Sequence, residues 1–281
     1  MTMVSAAVFE SPVALAARVP HGAKLAVAHE DRGVSMAATR ELVRRPVRDL
    51  HLVCVPVSGL QADVLIGAGC VATIETSAVT LTEYGLAPRF SDAVRSGAVR
   101  ILDATCPAIH AGIQAAQKGQ PFVPIRGLLE TDVLARRPDW RIIDNPFKPG
   151  DPAGDHAVDM IVLVPAIVPD IALFHAPLAD RHGNVFIGRK RELLNMAHAA
   201  RATLVTVEAI TDDDLLADEN RAAGVIPAIY ITAIAHAPRG AAPLRLWDYY
   251  AEDEVALARY ALAARSTAGF NDWLGGWLNE R

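Results

Sequence analysis

The chain is short of cysteine, of aromatic side chains and of positive charge, and each shortage removes a class of protein. Cys54, Cys70 and Cys106 are the three cysteines in 281 residues. They are odd in number, widely spaced and free of any CxxC pair, which fits a reducing compartment and not a disulfide framework. Aromatics make up 6% and the formal net charge is −5, so the basic excess that nucleic-acid or anionic-membrane binding needs is missing. Arg44, Arg45 and Arg48 read as a solvated helix face and its end. No apolar run is as long as a membrane span. The amino terminus has no basic flank before its apolar residues, and Glu10 interrupts them, so no signal peptide is read and a cytoplasmic location is expected. His29, His51, His110, His175, His182 and His198 form neither HExxH nor a Cys/His cluster, so no metal site is expected. GxSxG and Walker A loops are absent as well.

What remains is a chain that is 52% apolar, long enough to bury a large core. Apolar runs alternate with helical spacing. Residues 24–28 and 50–55 read as strands around a helix at 35–45, where Met36, Thr39, Leu42 and Val43 share a face. Strand, helix and strand in about thirty residues argue for a parallel sheet with right-handed crossovers. Further helices are expected at 13–18, 90–96, 107–117, 191–200 and 247–264, and further strands at 71–75, 99–102, 121–125, 140–143, 203–208 and 226–234. With no repeat, low-complexity tract or clear linker, one domain over 1–281 is expected, with an excursion at 126–152 and a carboxyl-terminal helical segment at 247–281.

Two motifs stand out. Gly67-Ala68-Gly69-Cys70-Val71-Ala72 spells GxGxxA after an apolar run, yet 71–80 reads as extended where a dinucleotide site needs a helix. It is read as a Gly-rich turn into a strand. The stretch 164–188, taken with the residues just before it, carries two strand-like runs, 160–164 and 171–175, and then Asp180-Arg181-His182-Gly183-Asn184. Gly183 and Asn184 tolerate positive φ, so Asp180, Gly183 and Asn184 are expected to form a sharp turn, placed where α/β sheets present ligand loops.

Three segments taken together resemble the alpha subunits of family I coenzyme A transferases, the group that includes the glutaconate and 3-oxoacid enzymes. They are Ala62 to Gly69 running on to Glu83-Tyr84-Gly85-Leu86-Ala87-Pro88-Arg89-Phe90, then Gly112 to Ile125 with Thr131-Asp132-Val133-Leu134, then Pro169-Asp170 with Ala179-Asp180-x-x-Gly183-Asn184. The resemblance implies a three-layer α/β/α fold with a mainly parallel sheet. It also implies a beta-subunit partner in a hetero-oligomer, a coenzyme A thioester as substrate, a short or medium organic acid as the other reactant, and no bound cofactor. The resemblance also implies that the attacking glutamate belongs to the beta subunit, and this sequence agrees: no glutamate here has the Gly-flanked beta-subunit motif, Glu219-Asn220 coming nearest but followed by Arg221.

The family's Gly-rich loop after the first strand corresponds to residues 27–36, where Asp31, Arg32 and Gly33 are the candidate oxyanion and coenzyme A contacts and Gly33 is the one glycine. Thr76, Ser77 and Thr80 are candidate substrate-binding hydroxyls or backbone-satisfying groups at a strand end. Glu30 and Asp103 are the candidate acids or bases of this chain, with helix capping before Pro107 as the other role for Asp103. Glu75 and Glu83 are structural or substrate-facing, and Cys106 is a small buried hydrophobe. Two rival functions share this fold. One is an acyl-CoA or carbon–carbon bond hydrolase, as in steroid-ring degradation, in which Glu30, Asp31 or Asp103 activates water. The other is a ligand-binding member without chemistry.

Overall fold

Lys24–Ala28, Leu50–Val55 and Val71–Thr76 are short runs rich in Val, Leu and Ile, largely buried on both faces. Such strands belong in a parallel sheet covered on both sides. The computed structural model describes residues 7–147, 159–247 and 249–279. Parts of the expected single domain (1–6, 280–281), of the excursion (148–152) and of the 247–264 helix (Asp248) lie outside them.

The main sheet runs Val8–Glu10, Ala233–His236, Ala202–Thr211, Ile171–Asp180, Lys24–Ala28, Leu50–Val55, Val71–Thr76, Arg100–Asp103, and every neighbouring pair in that row is parallel. Helices Pro12–Ala17, Met36–Arg44, Leu60–Gly67 and Pro88–Ser96 pack side by side, and Cys106–Gln117 packs on Arg191–Ala199. From Lys24–Ala28 the next three strands follow the chain outward in one direction, and the later strands extend the sheet the other way. The order therefore reverses between Lys24–Ala28 and Ile171–Asp180, and ligands of open α/β sheets bind at the carboxyl ends flanking such a reversal.

Local signals act where they were read. Ser35 caps Met36–Arg44 by accepting from Ala38 N at 3.4 Å, and Gly97 and Gly119 follow their helices at φ +69° and +68°. Leu60–Gly67 is a helix, and Gly69 at φ +70° turns it into Val71–Thr76. A helix leading into a strand is the reverse of a dinucleotide fingerprint.

Met160–Pro165 and Ile171–Asp180 are both strands, as read, and lie in different sheets: the first is the middle of a three-stranded antiparallel sheet with Phe122–Ile125 and Arg141–Asp144. Three expectations need correction. Ile171–Asp180 is twice its expected length, and Asp180-Arg181-His182-Gly183-Asn184 closes a hairpin onto Val185–Phe186. Residues 226–234 are not one strand. Pro227 has no N–H to give a ladder, Ala228–Tyr230 is a 3₁₀ turn held by Ala228 N donating to Asn184 Oδ1 at 2.9 Å, and the strand resumes at Ala233–His236. The last stretch becomes helical only at Glu254–Ala263, where Asp253 accepts from Ala256 N at 2.9 Å.

The carboxyl-terminal helix Thr267–Asn279 docks on the chain's own core. Phe270, Trp273 and Trp277 join Tyr260, with ring centroids 4.6 Å apart for Tyr260 and Trp273 and 5.4 Å for the two tryptophans. Gly67 makes room: a Cβ there would sit 2.5 Å from Phe270 Cζ.

Candidate active site

At the end of Lys24–Ala28 the chain leaves the sheet with His29-Glu30-Asp31-Arg32-Gly33, on the reversal point. Ile171–Asp180 pairs with Lys24–Ala28 only as far as Leu173 and Val27; His175 N then donates to Gly33 O at 2.7 Å. The loop is thereby folded across the neighbouring strand. Gly33 has φ +87°, and a Cβ on it would stand 2.3 Å from the His175 carbonyl oxygen. Gly33→Ala is accordingly expected to destabilise the protein by more than about 2 kcal/mol, read as a lower urea midpoint; an unchanged midpoint would mean that the loop has another seat.

Under the loop lies a buried polar chain. Ser35 Oγ and Thr206 Oγ1 are 2.7 Å apart, Thr206 Oγ1 and His175 Nδ1 2.8 Å, and His175 Nε2 and Glu208 Oε1 2.7 Å. Glu208 also accepts from Tyr250 OH at 2.6 Å and from Arg239 N at 2.7 Å. Burial tends to raise the Glu208 carboxyl, but the bonds from His175 and Tyr250 outweigh it and bring it to about 2. Burial holds His175 below its ordinary value. A neutral imidazole protonated on Nε2 satisfies the whole row, with Thr206 donating to Nδ1 and Ser35 to Thr206. This row buttresses Gly33 and the start of Met36–Arg44.

Glu30 points the other way, to the amino end of Leu60–Gly67. Gly59, the N-cap, has no side chain to offer, and Glu30 Oε1 accepts from Leu60 N at 2.7 Å in its stead. A Cβ at Gly59 would lie 2.5 Å from both Glu30 Cδ and the Thr80 carbonyl oxygen. The other oxygen, Oε2, is buried without a hydrogen-bond partner among the described residues. Burial, only partly offset by the Leu60 and Gly59 amides, pushes the Glu30 carboxyl up to about 7. Glu30 lines a cavity of about 200 Å³ together with Leu81, Glu83, Tyr84, Leu244, Leu257 and Tyr260, and Arg245 and Glu252, also in its wall, pair at 2.6 Å. Beneath it Asp63 accepts from Tyr260 OH at 2.6 Å and from Phe90 N at 2.7 Å.

The remaining loop charges are paired. His29 Nδ1 lies 2.7 Å from Asp31 Oδ1, a bond that together with the Arg32 and Lys190 charges holds the Asp31 carboxyl at about 2. Arg32 donates to Glu192 Oε1 at 3.2 Å.

Glu30, Asp31, Arg32 and Gly33 thus come together, with the Thr80 backbone against Gly59. The three candidate hydroxyls are spent on backbone: Thr76 Oγ1 donates to Ala78 O at 2.7 Å, Ser77 Oγ to Pro56 O at 3.0 Å, and Thr80 Oγ1 to Gly85 O at 3.2 Å. Asp103 sits across from Thr76 on the next strand. It does not cap the helix; Thr105 does, accepting from Ala108 N at 3.4 Å. Cys106 is exposed, not buried, with Sγ 3.1 Å from Ser77 Oγ. Asp180 takes four donors, from His182 N, Asn184 N, Asn184 Nδ2 and Leu215 N, and with Gly183 at φ +90° and Asn184 it closes the hairpin away from the Glu30 cavity. Among the described residues no group of three or more His, Cys, Asp or Glu could hold a metal, and no helix is long and apolar enough to cross a membrane.

A family model described as coenzyme A transferase matches residues 9–237. The chain belongs to the coenzyme A transferase family. Within it this transferase chain sides with alpha subunits. It is 31% identical over 252 residues to the A subunit of 3-oxoadipate CoA-transferase from Pseudomonas knackmussii, covering 87% of this chain and 84% of that one. The crystal structure of glutaconate coenzyme A-transferase from Acidaminococcus fermentans superposes with a TM-score of 0.85 at 26% identity, over 96% of this chain and 88% of that one. The cholesterol ring-cleaving hydrolase IpdA subunit of Mycobacterium tuberculosis is 27% identical over 249 residues, covering 87% and 83%. The transferase residues that sequence reasoning missed are Tyr260, Leu244, Leu257 and the His175, Glu208 and Tyr250 row. A histidine inside an apolar strand was the one available signal for that row.

Proposed function

We propose that this chain is the alpha subunit of a two-subunit coenzyme A transferase, moving coenzyme A between an acyl thioester and a carboxylic acid with the nucleophilic glutamate on a beta subunit. The observation that carries this is the state of the acids around the reversal point. Asp31 is bonded to His29, Glu192 takes the Arg32 guanidinium, Glu75 takes Arg137, and Glu30 is sealed against Gly59 with its carboxyl raised to about 7. None of these four is an ionised carboxylate free of a partner. Transfer needs one: it attacks the thioester carbonyl to give an anhydride, and the released thiolate reopens that anhydride to leave a glutamyl thioester. The alpha chain's part is to shape the pocket and hold the loop at Gly33 close to the developing oxyanion, which fixed N–H donors stabilise. Co-purified with its beta chain and given acyl-CoA alone, the complex should accumulate a thioester that reduces with borohydride, and mass spectrometry should place the reduced residue on the beta chain. A reduced glutamate on this chain would overturn the assignment.

A second reading is favoured by one feature, the Glu30 carboxyl on a cavity wall with a value near neutrality, the range suited to a general base. In that reading Glu30 takes a proton from water and the reaction is hydrolysis. Incorporation of ¹⁸O from water into product acid without any acceptor acid supports it; strict dependence on an acceptor removes it.

A further inference from the structure

The cavity that Glu30 lines lies at the end of Lys24–Ala28, with His29 and Asp31 of the loop in its wall. Its size is the first constraint on what enters. At about 30 Å³ for each water-sized group, a space of about 200 Å³ holds roughly six or seven non-hydrogen atoms. Leu81, Leu244 and Leu257 give it apolar wall, and the two tyrosines have their polar ends engaged elsewhere. Tyr260 OH donates to Asp63 Oδ2 at 2.6 Å and Tyr84 OH to the Glu254 carbonyl oxygen at 3.2 Å. Toward an occupant the phenol rings therefore act as hydrocarbon.

Charge is the second constraint. Among the described residues that line the cavity, the basic groups are Arg245 and His29, and each is already bonded to an acid. Arg245 Nε donates to Glu252 Oε2 at 2.6 Å, and His29 Nδ1 lies 2.7 Å from Asp31 Oδ1. Glu30 and Glu83 add two further acids to the wall. An occupant with a carboxylate at the end of its own chain would meet acids on several sides and no guanidinium left to receive it, and such like-charge juxtaposition is what turns a wrong partner away. An aliphatic chain in the same place meets leucine and phenol rings.

We infer that the Arg245–Glu252 pair is a specificity determinant: the cavity takes a short, uncharged aliphatic acyl group, and the pair, by occupying the guanidinium, excludes an acyl group that carries a second carboxylate. The inference rests on the transferase reading for the thioester, though not for the order of preference. It is tested on the complex with the beta chain, using two thioesters of one shape, 4-methylpentanoyl-CoA and succinyl-CoA, in which a pair of methyl groups stands in for the carboxylate oxygens. The first should have a kcat/KM at least about tenfold higher. Acetyl-CoA, which leaves the leucines uncovered, should fall below it by about tenfold or more. Glu252→Gln releases Arg245 and should raise the ratio of succinyl to 4-methylpentanoyl turnover at least about tenfold. Glu83→Gln, at an exposed position outside the pair, should raise it less. Succinyl-CoA used as well as its uncharged counterpart, a ratio that Glu252→Gln leaves unmoved in a variant melting like the wild type, or decanoyl-CoA used as well as 4-methylpentanoyl-CoA would each overturn the inference. The transferase reading fails separately. Thiol released from the preferred thioester without an acceptor acid removes that reading and leaves the ratio as the test; transfer with succinyl-CoA preferred keeps that reading and removes the inference. If neither thioester turns over, their calorimetric affinities for the complex supply the ratio, and equal affinities overturn the inference.

Discussion

Arg137→Ala should cost about 3–5 kcal/mol of stability, the usual result of removing one partner of a buried ion pair. The Arg137 and Glu75 side chains are 3% and 4% exposed and meet at 2.8 Å. Arg137 also donates to Asp139 and to the Asp103 carbonyl oxygen, and its guanidinium lies 4.4 Å from the centre of the Trp140 ring. It therefore joins the segment after residue 126 to the end of the main sheet. Burial works to raise the Glu75 carboxyl, but His51 and Arg137 outweigh it and hold it below its ordinary value. For a carboxylate depressed in the folded state the stabilisation is present above the unfolded value and is lost as pH falls. In the variant the sign changes, because an unpaired buried carboxylate favours its protonated form. The deficit measured by urea melts should thus be large at pH 7 and shrink toward pH 4. A deficit that is small, or equal at both pH values, would show that His51 alone compensates Glu75. Arg137→Met with Glu75→Gln should recover much of the loss, since a neutral pair leaves no stranded charge.

Glu30→Gln should lower turnover by about 10²–10⁴-fold if the carboxyl moves a proton in the reaction, with the fold kept. Glutamine can still accept from Leu60 N, so the cap on Leu60–Gly67 survives. In the wild type the rate should rise with pH through about 7, as Glu30 loses its proton, and the variant should lack that limb. Stability gives an independent readout. The folded-state value lies above the unfolded one, so the folded protein holds the extra proton and stability declines as pH rises from about 4.5 to about 7. Glu30→Gln removes this slope, and its melting temperature should gain on the wild type between pH 5 and pH 8. Wild-type turnover with the slope abolished would make Glu30 a structural acid.

The parts of this molecule that could be read in advance are those set by near neighbours. Val, Leu and Ile runs of five or six residues, Ser35 before a helical stripe, and glycines at 97 and 119 act within a turn of themselves. The misread stretches are those in which a distant partner decides. Residues 226–234 are apolar throughout, and the break comes from Pro227 together with Asn184, 44 residues away. Asp103 and Thr105 are both plausible caps before Pro107, and only the backbone direction at Thr105 selects between them. Glu30 was legible as an acid at a strand end. Its value near 7 depends on Gly59 and on a cavity wall brought in from residues 244–260, for which no local pattern exists.

The hydrogen bonds that complete the site join residues far apart in the chain: Ser35 to Thr206 spans 171 positions and Asp63 to Tyr260 spans 197. Contacts of such separation form late, because the closure entropy of the intervening chain has to be overcome first. A ribosome-bound chain that has emerged only through Ile171–Asp180 can already pair the sheet around Lys24–Ala28, but it has neither Glu208 under the loop nor Tyr260 under the cavity. Substrate-binding competence is thus a property of the finished chain, and truncation before residue 260 should leave a soluble-looking core with an open, unformed pocket.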